Sequence, residues 1–228
     1  MNRPIVYKRS MRAKNLYIKI KPFEDVIVSF PFFMKQTDAK KFVDEKSNWI
    51  KKKLFDIVQI EESHNRSLDG YQTRFSKLIF KQTDASRASY RISKNSASIF
   101  IPHELDEYNE EVRKCIHRAI NKIYLDECEF ILPQRVEELS KKYNLPYRSL
   151  TFKYTKTKWG MCSANNDITL NPHLLRLPNK LIDYVILHEL THTKVKNHGK
   201  IFWNAMLALN KNSKKLDKEI NRFSLRYI

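Results

Sequence analysis

Residues 188 to 198 read His-Glu-Leu-Thr-His-Thr-Lys-Val-Lys-Asn-His. No other stretch narrows the fold as far. Side chains four apart meet on one face of a helix. At about 100° per residue, His188 and His192 stand roughly 40° apart on that face, so both imidazoles can reach one ion. Glu189 falls about 100° from His188 and about 60° from His192, where it can lean over the ion without binding it. Two histidines so spaced, with a glutamate after the first, are a zinc-protease signature when they lie on a helix. Catalytic Zn²⁺ takes three protein ligands and keeps a fourth position open for water. His198 is the nearest candidate for the third.

The flanking residues support the helix. Leu177-Pro178-Asn179 is a start signal, with Pro178 as the first helical residue or Asn179 as the cap. Ile182, Val185, Ile186 and Leu190 then recur at helical spacing. Lys194, Lys196 and Asn197 suit a helix C-terminus. Beyond the turn, Gly199 precedes Phe202, Trp203, Met206, Leu207 and Leu209, the pattern of a second helix. His198 would stand at its mouth and face back towards the first.

Composition closes off other chemistries. The chain has only three glycines, Gly70, Gly160 and Gly199, too few for a glycine-rich phosphate loop. Its three cysteines, Cys115, Cys128 and Cys162, form no Cys-x-x-Cys pair, which argues against a structural zinc site. An odd cysteine count without framework spacing fits a reducing compartment. The first ten residues lack the apolar core of a secretory signal, and no run approaches the length of a membrane span. The expected location is the cytoplasm. Lys and Arg outnumber Asp and Glu by 43 to 25, a net +18. Such a field favours anionic partners, nucleic acid among them, but a lysine-rich surface can also bind nothing in particular.

The rest of the chain divides by pattern. Residues 5 to 31 read as short strands, with a turn at Pro22 to Asp25. Thr37 to Ile60 read as helix, and 61 to 74 as a polar loop. Strand patterns return at 77–81, 88–93 and 97–101. A long helical stretch follows from about Asn109 to Tyr143, which Pro133 should break or kink. Leu150, Phe152 and Tyr154 begin a β unit that continues through Trp159 to Ser163 and returns at Ile168 to Leu170. This hairpin immediately precedes the histidine helix and offers a strand edge for an extended substrate. No internal repeat is evident. The expected division is a β-rich region with one helix over 1–105 and a mostly helical domain over 106–228.

Taken together, Lys158-Trp159-Gly160-Met161-Cys162-Ser163, Ile168-Thr169-Leu170-Asn171, Ile182 to His192, Asn197-His198-Gly199 and Phe202-Trp203 resemble the YgjP-like family of predicted zinc metallopeptidases. The resemblance covers most of the chain, more loosely in its first half. It implies an α+β fold of zincin-like type, with an active-site helix beside a small antiparallel sheet. It further implies one Zn²⁺ held by His188, His192 and His198, and Glu189 as general base. Met161 departs from the family, which usually has a small polar residue there. The His-Gly-x-x-Phe portion is more distantly similar to SprT and Spartan-type proteases, which act on proteins crosslinked to DNA.

The expected function is therefore a zinc-dependent peptidase acting on peptide or protein substrates. A basic nucleic-acid-associated zinc protein is the alternative, and the two combine in a protease acting on DNA-bound proteins. A metal-dependent nuclease is a third reading, against which the glutamate after His188 counts. Tyr184, one turn before His188, is expected to pack.

Overall fold

A computed structural model of the chain describes residues 3–21, 25–64, 67–223 and 225. Strands come in threes, and each triplet closes one small sheet. The first holds β1 (Ile5–Ser10), β2 (Tyr17–Lys19) and β3 (Val26–Pro31). The second holds β4 (Lys77–Thr83), β5 (Ser89–Ser93) and β6 (Ser96–Pro102), and the third β7 (Ser149–Phe152), β8 (Gly160–Cys162) and β9 (Asp167–Leu170). All three share one order: the last strand is central, parallel to the first and antiparallel to the second. The sequence shows no repeat, yet the topology is repeated three times. Pleated pairing needs only alternation, and unrelated side chains can supply it. The sheet beside the histidine helix is accordingly mixed, not wholly antiparallel. β7 and β9 are joined across β8 and run the same way.

The described residues fall into two compact units that part between residues 66 and 67. The first unit packs its sheet on α1 (Gln36–Glu45), with α2 (Ser47–His64) following, around Val28, Phe30, Ala39, Val43 and Ile50. The single helix expected over 37–60 is thus two, parted at Lys46. The second runs to His64, through the start of the expected 61–74 loop. The expected turn at Pro22 to Asp25 lies largely outside the described residues.

The second unit contains the other two sheets, α3 (Glu110–Tyr143), a short 3-10 helix (Pro172–Arg176), α4 (Asn179–Thr191), α5 (Lys200–Leu209) and α6 (Ser213–Ile220). The boundary expected at 105 falls inside this unit. Ala97, Ile99 and Ile101 of β6 are buried, as are Val112, Ile116 and Ile120 of α3, and β5 and β6 pack on that helix. The change of pattern at 105 is a change of layer within one core.

Pro133 does not break α3, which is continuous through it. Proline removes the bond to the carbonyl four residues back. That carbonyl belongs to Glu129, on the exposed side of the helix, where water can satisfy it. Asn109 caps the start by accepting from the Glu111 amide. Asn144 ends the helix in the left-handed region at φ 51°.

One chain of polar contacts sets the height of α4. Buried Glu127 on α3 accepts from Thr73 Oγ1 and from the amides of Arg74 and Phe75. Arg74 then donates to the carbonyls of Leu175 and Leu177, 2.9 and 2.6 Å away, just ahead of α4. Pro178 stands in extended conformation at the cap, and Asn179 is the first helical residue. Leu181, Ile186 and Leu190 are fully buried, each contributing about 1.5–3 kcal/mol. Arg135 grips Asp183 through two bonds of 2.7 and 2.6 Å, tying α4 to α3 from the other side.

Candidate metal centre

His188 lies in the last turn of α4, and His192 is its C-cap, still right-handed at φ −63° and ψ −15°. The four-residue relation between them therefore survives to the helix end. The chain then turns, with the amides of Lys194 and Val195 donating to the Thr191 carbonyl at 3.1 and 3.0 Å. Gly199 caps α5, so His198 sits one residue before the cap of the new helix. Fully buried Phe202 is the surface on which the imidazoles pack. Its ring centroid is 4.9, 4.6 and 4.8 Å from those of His188, His192 and His198.

The three Nε2 atoms point at one another: 2.9 Å from His188 to His198, 3.1 Å from His192 to His198 and 3.3 Å from His188 to His192. Three imidazoles cannot satisfy one another in such a triangle, since each ring nitrogen has a single lone pair or proton to offer. An ion is what fits. Tetrahedral Zn–N bonds of about 2.0–2.1 Å place ligand nitrogens about 3.3 Å apart. His192 Nδ1 lies 3.0 Å from the Val195 carbonyl, which can only accept, so Nδ1 carries the proton and Nε2 keeps its lone pair. Burial, then the neighbouring imidazoles, hold His188 down at about 3. Burial also lowers His192. Neutral rings are the form that ligates.

Glu189 is 7% exposed and turns towards β8. Burial raises its carboxyl to about 7, against the opposing pull of Lys158. Its neighbour across the gap is Gly160, whose missing side chain leaves the room. β8 is an outer strand of its sheet, and Lys158 to Cys162 form one wall of a cleft of about 410 Å³. α4 forms the floor, and Asp217 and Ile220 of α6 lie on its lining as well.

Two residues fix the wall. Asn171, 1% exposed, donates from Nδ2 to the carbonyls of Thr155 and Lys158 at 2.9 and 3.1 Å, and accepts from the His173 amide through Oδ1. It thereby holds the strand entry that carries Trp159. Lys196, between the second and third histidines, donates to the Ser163 carbonyl at 2.8 Å and to Asn166 Oδ1 at 2.6 Å, in the turn between β8 and β9.

The family model described as YgjP-like, metallopeptidase domain, matches residues 14–223. The chain belongs to the YgjP-like family. Membership makes it a metallopeptidase, an enzyme that acts on peptides or proteins and uses a metal ion. No curated protein matches it. Two solved structures are similar over part of this YgjP-like chain. The metallopeptidase zymogen of Pyrococcus abyssi abylysin is 20% identical, covering 41% of this chain and 95% of its own, with a TM-score of 0.37. That of Methanocaldococcus jannaschii jannalysin is 26% identical, covering 38% and 90%, with a TM-score of 0.34.

The α+β class expected from the sequence is the class observed. Among the described residues His188, His192 and His198 form a group whose ligand atoms lie within 4.8 Å of one another, and Glu189 stands beside them. Sequence reasoning missed three parts of this YgjP-like site. Gly160 is read as part of a motif, but its contact with Glu189 is invisible until β8 is laid against α4. A signal existed in the scarcity of glycine. Asn171 gives no hint of its buried network. Tyr184 does pack, at 3% exposure, but it also donates its hydroxyl to Asp217 at 2.8 Å. Among the described residues no helix is long and apolar enough to cross a membrane.

Proposed function

We propose that this domain hydrolyses peptide bonds with one Zn²⁺ held by His188, His192 and His198, and with Glu189 as general base. The convergence of three Nε2 atoms beside a buried carboxyl group in one cleft carries this reading. Zn²⁺ bound there would supply Lewis acidity, making a water nucleophilic near neutral pH and polarising the scissile carbonyl.

The chain's own residues do the rest. Glu189 takes the proton of the attacking water and passes it to the leaving amine. The hydrogen bond from His192 to Val195 fixes the tautomer and the plane of that ring. Phe202 excludes water from behind the histidines. The outer edge of β8 offers amides and carbonyls to an extended peptide, which holds the scissile bond along the cleft. The three free cysteines suit work in the reducing cytoplasm. No feature of the cleft favours the nucleic-acid alternative.

The test is Glu189→Gln. Zinc-loaded parent protein should cut members of a mixed peptide library, and the variant should keep its zinc and lose cleavage. A variant as active as the parent would remove Glu189 from the role of base.

A further inference from the structure

Two carboxylates line the cleft, and only one is accounted for by the hydrolysis. Glu189 faces β8. Asp217 lies on α6, half-buried, with one oxygen engaged by Tyr184. Tyr184 is 3% exposed and sits one turn before His188 on the same helix, its ring 5.9 Å from the His188 ring. The phenol can give only one proton, so it orients the carboxylate through Oδ1 and leaves Oδ2 to accept from elsewhere.

The surroundings make this unusual. Glu219, two residues on, is paired with Lys180 at 2.6 Å. Asp217 has no cation within ion-pair distance among the described residues, on a chain of net charge +18. Buried Ile220 lines the cleft beside it, one helical turn away. A tyrosine ring, an isoleucine and an oriented, unpaired carboxylate suit an aliphatic stem that ends in a cation. Lys158 and Lys196 lie in the same cleft on the β8 side, where they disfavour such a cation.

We propose that Asp217 is the recognition carboxylate of a subsite next to the metal centre that takes a Lys or Arg side chain of the substrate. This rests on the peptidase reading and names part of its substrate class.

The experiment measures binding as well as cleavage. One apolar heptapeptide is made with a single Lys at each position in turn, each with a norleucine twin of equal length and no charge. Affinity for zinc-loaded Glu189→Gln protein is measured with and without Asp217→Asn. At one position the Lys peptide should bind tighter than its twin by on the order of tenfold. Asp217→Asn should abolish that preference while leaving zinc content and far-UV circular dichroism unchanged, since the amide can still accept from Tyr184. Tyr184→Phe should weaken it in part. Equal affinity of Lys and norleucine peptides at every position, or a preference that survives Asp217→Asn, would overturn the subsite. A Lys preference that depends on Asp217 in a protein whose Glu189 parent cuts none of these peptides would keep the subsite and remove the proposed zinc and Glu189 hydrolysis.

Discussion

A Cβ placed on Gly160 would stand 2.7 Å from Cγ of Glu189 and 2.9 Å from its Oε1. Cβ atoms in folded proteins do not come that close to another heavy atom. Gly160 is outside the left-handed region, so the backbone itself does not require glycine. The space does. Gly160→Ala should push either β8 or the carboxylate aside. Misplacing a catalytic group by about 1 Å costs on the order of a hundredfold in rate. Peptide hydrolysis should fall by about that factor with zinc content unchanged. Full activity would mean that the strand yields without moving Glu189.

Removing the metal should loosen the end of α4. The three Nε2 atoms lie within 3.3 Å of one another, close enough to share one ion. An ion bound only by the folded state at about a hundred times its dissociation constant adds roughly 2.7 kcal/mol. For a chain of this size that is about 5–10 °C in Tm. Chelation should lower Tm by that amount, and zinc should restore it. His198→Ala should melt at one temperature with or without chelator. A Tm that ignores chelation in the parent would dismiss the triad as an ion site.

Asn171 predicts a loss of stability out of proportion to its size. Its side chain joins three backbone groups at 1% exposure. Leaving such partners unpaired costs about 1–3 kcal/mol per group. Asn171→Ala should lose about 3 kcal/mol or more in urea denaturation. Asn171→Asp, which turns a second oxygen onto the Thr155 and Lys158 carbonyls, should lose at least as much. A change below about 0.5 kcal/mol would show that water replaces the network.

His173 sets a pH dependence. It is 7% exposed, between the rings of Tyr124 and Tyr154, with Nδ1 unpartnered. Burial, helped by Arg176 and His117, lowers its pKa to about 4. The unfolded chain takes up this proton near pH 6.5 and the folded chain only near 4, so between them the unfolded state holds more protons. Stability from this residue is therefore complete above about 6.5 and drains away as pH falls to 4, by about 3 kcal/mol in all. His173→Phe should flatten that slope. The difference in stability between parent and variant should shift towards the variant from pH 7 to pH 4.5. Parallel curves would place the ring in contact with water.

What could be read from the chain in advance followed one physical rule: local periodicity is legible and tertiary adjacency is not. His188, His192 and Glu189 are related by helical arithmetic, so their geometry follows from their numbers. His198 depended on a turn, and Gly199 and Phe202 signalled where that turn ends. The mixed sheet escaped because alternation is the same in parallel and antiparallel pairs. Pro133 leaves α3 unbroken because the rule about proline says nothing about which carbonyl faces water. The domain boundary at 105 failed because a change from strand to helix looks the same within a core as between cores. Asp217 stands 29 residues after His188 in a lysine-rich helix, and nothing before folding marks it as part of the same cleft.

Lys196 turns two parts of the site into one mechanical piece. The segment it belongs to delivers His198, and the carbonyl and amide it grips belong to the hairpin turn behind β8. An ion that holds His198 in place therefore also steadies the strand against which a peptide would lie. Linkage makes the effect mutual: whatever factor the ion adds to peptide affinity, the peptide adds to retention of the ion. Dwell time of the metal thus becomes a reporter of occupancy along the strand. A bound peptide should slow its loss to a chelator, and Lys196→Met should uncouple the two.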